Sequence, residues 1–146
     1  TGGEPPSGIL AHTGVAGLTL LVISFVMVPL MGANTTPANV GVEDLVVDMT
    51  YVKNAIAENS AIIVDARTPM QYAFGHIETA INISIDVEDL EGQVKAHDLA
   101  EKEVVVYCSS AQCDIAERMT QKLFEMGLTR VKVYAGGWEE WELENF

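Results

Sequence analysis

The chain holds 146 residues, the size of one ordinary domain, with 21 acidic residues against 8 basic ones and a net charge of −13. That balance argues against nucleic acid as a partner and against docking on anionic lipid by charge; a small anion would need a local basic or N–H-lined pocket. Two cysteines make no disulfide framework, and their number and spacing make no zinc site, so neither metal nor cofactor is expected.

Residues 1–42 hold one acidic residue, Glu4, and no Lys or Arg. The chain does not open on Met, which predicts a processed or trimmed product. Residues 1–8 read as a tail. Residues 9–33 carry no formal charge with His12 neutral and are long enough to cross a hydrocarbon core of about 30 Å as a single transmembrane α-helix. Thr19 and Ser24 can bond back to helix carbonyls, and Pro29 lies near the end, where a kink costs least. Met31-Gly32-Ala33 resembles a signal-peptidase site, so a signal segment is one alternative and a buried core helix another. No Lys or Arg precedes Lys53; acidic Glu43 and Asp44 lean the following domain toward the extracytoplasmic or periplasmic side of a single-pass protein. Residues 34–42, with Pro37 and Gly41, read as a linker.

From there strands and helices alternate. Residues 50–58 predict a short amphipathic helix with Thr50 as N-cap. Residues 61–64 are a buried strand ending at Asp65. Pro69 opens a helix over residues 69–74, which Gly75 breaks. Residues 80–85 read as a strand, with Asn82 and Ser84 as polar punctuation, and residues 87–99 as a helix. Residues 104–107 are a β-branched strand. From Asp114 onward Ile115, Met119, Leu123 and Met126 recur at helical spacing. Residues 131–134 form a last strand, followed by Gly136-Gly137 and a short helix carrying Trp138 and Trp141. Continuous apolar strands alternating with helices predict an α/β fold: a parallel sheet flanked by helices on both faces. In such sheets ligands bind outside the carboxyl ends of the strands.

Cys108 lies at such an end, where the strand over residues 104–107 should run through a polar loop into a helix. A thiol there faces loop and helix-terminal N–H groups, which favour a lone thiolate and hence a nucleophile near neutral pH.

Four pieces resemble the rhodanese-like sulfurtransferase domain, in the expected order over roughly residues 43 to 145. Val64-Asp65-Ala66-Arg67 resembles its V-D-x-R element. Phe74-Gly75-His76-Ile77, then Ala80-Ile81-Asn82-Ile83, resembles G-H-I-x-G-A-x-N-I. Val106-Tyr107-Cys108 resembles the strand leading to the active cysteine, and Val133-Tyr134-Ala135-Gly136-Gly137-Trp138 the closing element. The resemblance implies a rhodanese-like domain over residues 43–146. It also implies a catalytic cysteine, Cys108, that carries sulfane sulfur as a persulfide between a donor and an acceptor. The N–H groups of Ser109, Ser110, Ala111, Gln112 and Cys113 would cradle the persulfide anion.

Three departures stand out. Ala111 occupies a position where many members have Gly. The loop carries no basic residue, so thiosulfate would be poorly held and a neutral or protein-bound persulfide is the better donor. Cys113 stands where an Arg is often found; it reads either as a small buried residue at the helix start or as a resolving cysteine. Asp114 occupies the position of the Arg in a Cys-x5-Arg phosphate loop, which argues against phosphatase chemistry. Asp65 and Arg67 read as a supporting structural pair or as caps around the loop, with anion holding by Arg67 the alternative; His76 reads as a hydrogen-bonded turn residue rather than a base, and His97 as surface. Two functional classes follow. One is a membrane-anchored sulfur carrier or sulfurtransferase. The other is a non-catalytic, single-span accessory subunit that docks the same fold onto a membrane protein complex or senses redox state.

Overall fold

The strands expected over residues 61–64, 104–107 and 131–134 become the three longest strands of a five-stranded sheet. The computed structural model describes residues 42–145, the side chains of Val42 and Glu43 excepted. The tail over residues 1–8, the expected membrane span over 9–33 and the linker up to residue 41 lie outside the described residues. Among the described residues no helix is long and apolar enough to cross a membrane. The elements are α1 (Val42–Leu45), β1 (Val46–Val47), α2 (Met49–Glu58), β2 (Ala61–Asp65), α3 (Pro69–Phe74), β3 (Ile81–Asn82), α4 (Leu90–Ala96), β4 (Glu103–Tyr107), α5 (Ile115–Glu125), β5 (Val131–Tyr134) and α6 (Gly137–Asn145).

The sheet order is β1-β5-β4-β2-β3, and every pairing is parallel. β4 is central. Its last residue, Tyr107, pairs with Asp65 on one side and Tyr134 on the other, so three strand ends reach the same level. Alternation along the strands sends side chains to two cores. Val64, Val104, Val106 and Val133 pack with Val94 of α4 and with Met119 and Leu123 of α5. Ile63, Val105, Tyr107 and Tyr134 pack with Val52 of α2, Ile77 and Trp141 of α6. Each fully buried aliphatic side chain among these contributes about 1.5–3 kcal/mol. The expected parallel sheet, covered on both faces, is the sheet observed.

Several local expectations are corrected. The N-cap of α2 is Asp48, whose carboxylate accepts from Tyr51 N–H at 2.8 Å, and Thr50 lies inside the helix. The strand expected over residues 80–85 shrinks to Ile81–Asn82. Beyond it the chain turns, and Ile83 and Ile85 donate to Asp65 O and Ala66 O, the last residue of β2 and the one after it. The helix expected over residues 87–99 is the shorter α4, which starts where the Asp89 carboxylate accepts from Gly92 N–H. Met126 caps α5 and is partly exposed. Helix α3 matches its expected bounds, with Pro69 in its first turn and Thr68 and Gln71 forming a reciprocal cap.

Candidate active site

Cys108 leaves the central strand at the sheet's carboxyl edge and is 2% exposed. The start of its loop is anchored by α6. Trp138 N–H donates to Cys108 O and Glu139 N–H to Ser109 O, each at 2.9 Å. Gly137 makes this approach feasible. Its φ is +64°, and a Cβ there would lie 2.7 Å from Cys108 O and 2.9 Å from Ser110 N. The loop then turns, with Cys113 N–H donating to Ser110 O at 3.1 Å. Ala111 and Gln112 are exposed at its tip. Ala111 is not among the positive-φ residues, so the turn does not require glycine there. Ser109 Oγ accepts from Gln71 Nε2 of α3 at 3.4 Å. Asp114 stands at the N-cap of α5 but makes no side-chain cap bond.

Cys108 is bonded to Cys113, with Cα atoms 6.4 Å apart. The lone thiolate expected from the sequence is therefore not the state seen. In this form Cys108 belongs to the hydrophobic cluster, and no N–H of residues 109–113 donates to its sulfur. The two facts agree: a disulfide is neutral and tolerates hydrocarbon surroundings, whereas a thiolate there needs donors.

Beneath the loop lies a buried polar network. Arg67 Nη2 donates to Asp65 Oδ2 at 2.6 Å, and Nε donates to Asp65 Oδ1 at 3.0 Å. Arg67 Nη2 also donates to Gly75 O at 2.7 Å. Tyr107 O–H donates to Asp65 Oδ2 at 2.6 Å and accepts from Ile77 N–H at 3.1 Å. Burial, reinforced by the bond to Asp65, pushes the Tyr107 phenol well above its ordinary range. The guanidinium lies 5.2 Å from the Trp138 ring. Gly75 faces the same ring so closely that a Cβ would fall 2.6 Å from it. Arg67 is thus engaged by a carboxylate, a carbonyl and a ring.

Residues 48–144 match the family model described as Rhodanese-like domain. The chain belongs to that family. A Schizosaccharomyces pombe protein whose name proposes a mitochondrial thiosulfate sulfurtransferase is 26% identical over 135 residues, covering 84% of this chain and 92% of the relative. The crystal structure of the BH2092 protein from Bacillus halodurans is 30% identical, with a TM-score of 0.61, covering 68% of this chain and 72% of that one. A human single-domain sulfurtransferase is 25% identical, with a TM-score of 0.57, covering 70% of this chain and 97% of that one. The chain thus shares its family with proteins that carry the name sulfurtransferase.

The four rhodanese motif pieces converge in space. The Asp65–Arg67 pair, the Gly75–Ile77 segment, Tyr107-Cys108 and Gly137-Trp138 contact one another around the end of β4. Asp65 and Arg67 form a buried ion pair. His76 Nδ1 lies 3.0 Å from Tyr72 O, and its ring stacks on Tyr72 at 3.8 Å, as befits a turn residue. His97 is exposed. Among the described residues no cluster of His, Cys, Asp or Glu could hold a metal ion.

Sequence reasoning missed the parts played by four residues. Asn82 donates from Nδ2 to both Asp65 O and Arg67 O, fixing the turn after β2; its signals were its polarity within an apolar segment and its place in the Ala80-Ile81-Asn82-Ile83 element. Tyr107 read as one more buried strand residue. Met70 and Phe74, one helical turn apart on α3, are 71% and 88% exposed, and they flank the Gln71 that reaches Ser109.

Proposed function

We propose that this rhodanese, once its disulfide is reduced, carries or transfers sulfane sulfur as a persulfide on Cys108. The Cys108 thiolate attacks the outer sulfur of a persulfide donor, the donor's thiolate leaves, and the outer sulfur later passes to an acceptor nucleophile. The observation that carries this reading is the position of Cys108 at the carboxyl end of the central strand, its carbonyl pinned by Trp138 N–H. With the disulfide open, the N–H groups of Ser109, Ser110, Ala111 and Gln112 are the donors available to the persulfide anion, and that of Cys113 joins them only if its bond to Ser110 O opens. Residues 108–117 contain no Lys or Arg, and Arg67 is engaged by Asp65, which favours a neutral or protein-bound persulfide over a dianion such as thiosulfate.

Residues 9–33 anchor the protein in a membrane as a single span, with the domain on the extracytoplasmic side. Support comes from the uncharged run and from Glu43 and Asp44. The second reading, an accessory subunit of a membrane protein complex, is favoured by the exposed Met70 and Phe74.

The test uses a Cys113→Ser background. Reduced protein treated with glutathione persulfide gains about 32 Da on Cys108, and the Cys108→Ser, Cys113→Ser double variant gains nothing. Failure of both proteins to gain mass sinks the carrier reading. A stable complex from native membranes, unchanged by Cys108→Ser, would then favour the accessory subunit. Loss of membrane sedimentation on deleting residues 1–33 tests the anchor.

A further inference from the structure

The pairing of Cys108 with Cys113 bears on where the carried sulfur goes. We propose that Cys113 resolves the Cys108 persulfide, so that sulfur leaves as hydrosulfide and a dithiol reductant reopens the pair. This rests on the persulfide reading above and assigns its product.

The chemistry balances. A persulfide RSSH and the Cys108 thiol give RSH and Cys108–S–SH. The Cys113 thiolate then attacks Cys108 Sγ, the inner sulfur. The Cys108–Cys113 bond forms, the bond to the outer sulfur breaks, and HS⁻ departs with the electron pair. The two protein thiols are oxidised and the sulfane sulfur is reduced. In the second half a dithiol attacks the disulfide, becomes a disulfide itself, and restores both thiols.

Three observations support this course. The first is that the chain adopts the bonded state, with the Cα atoms 6.4 Å apart and Cys113 N–H bonded to Ser110 O, so the resolving sulfur needs no domain movement to reach its target. The second is charge. No cationic side chain lies within residues 108–117, while Asp114 and Glu117 follow the loop, so no loop side chain of opposite charge retains an outer sulfur that leaves as an anion. The third is access. Cys108 is 2% exposed whereas Cys113 is half-buried, so an incoming dithiol meets Cys113 first. Attack there expels Cys108 as the thiolate, the form that accepts the next sulfur.

The experiment uses the purified full chain, reduced, desalted without oxygen and mixed with one equivalent of glutathione persulfide in the absence of other thiols. Sulfide is trapped with monobromobimane while intact mass is followed. The wild type is expected to release about one sulfide per chain and to end about 2 Da below its reduced mass. Cys113→Ser and, as a second variant against misfolding, Cys113→Ala are expected to keep the added sulfur and to release sulfide at least about tenfold more slowly. A wild type that retains the added 32 Da for as long as the variants, with no disulfide formed, overturns the resolving role and leaves sulfur loading intact. Absence of loading in wild type and variants alike overturns both.

Discussion

The turn over Asp65, Ala66 and Arg67 and the loop from Cys108 to Cys113 leave the carboxyl ends of adjacent strands, yet they are held by different forces. The first is fixed by side-chain charge. Asp65 and Arg67 are 0% and 4% exposed, and Tyr107, Asn82 and Gly75 satisfy their remaining polar groups and those of the turn. The second is fixed by main-chain bonds to α6 at its start and by one covalent bond at its end. In the first, removing one side chain strands a buried charge. In the second, opening one bond frees the far end of the loop while Trp138 and Glu139 still hold its beginning.

The sharpest way to break this contrast is Arg67→Met. It leaves the Asp65 carboxylate buried without its cation and should cost about 3–5 kcal/mol, read as a lowered urea midpoint. Next is Gly137→Ala. It combines a positive φ with a Cβ against Cys108 O, and a loss of about 3 kcal/mol is expected, together with slower sulfur loading because the loop start is displaced. An alanine that left both stability and loading unchanged would show that α6 does not set the loop. Tyr107→Phe tests the first loop more gently. It orphans Ile77 N–H and removes a donor from Asp65, for about 1–3 kcal/mol.

The Tyr107 phenol also carries a pH signature. Its folded-state value lies above the unfolded one of about 10, so its contribution is complete below that pH. As pH rises further the unfolded chain ionises while the folded one keeps its proton, and stability falls. Tyr107→Phe should flatten that alkaline limb in urea titrations between about pH 9 and 11, although Tyr51, held up to about 12 by its bond to Glu103, keeps part of the slope. The smallest effect is expected at Thr79, a β-branched residue at φ +66° in the segment leading to β3. Thr79→Gly should raise stability by roughly 0.5–1 kcal/mol, the relief of strain exceeding the added entropy of the unfolded chain.

What could be read from the sequence follows the same division. The strands expected over residues 61–64, 104–107 and 131–134 were legible because most of their side chains are buried; the first two show this as continuous apolar runs, and the third keeps Val131, Val133 and Tyr134 around a single Lys132. The segment over residues 80–85 misled because Ile81, Ile83 and Ile85 keep an alternating pattern through a turn whose N–H groups bond to the end of β2 instead of extending a ladder. Helix α1 and strand β1 are four and two residues long, too short for any periodicity, and they rest on tertiary partners such as Lys132, which donates to Asp44 O. Cys108 was placed at its strand end by the apolar run before it, the helical pattern after it and the Val106-Tyr107-Cys108 resemblance. Its bond to Cys113 was open, because a separation of five residues does not fix the turn that brings two Cα atoms within reach.

The sheet's two outermost strands, β1 and β3, are each only two residues long. A foreign strand seeking a template finds almost no row of unpaired amides along either rim. Edge-to-edge aggregation is thereby discouraged by brevity alone, without charged or proline gatekeepers on those strands.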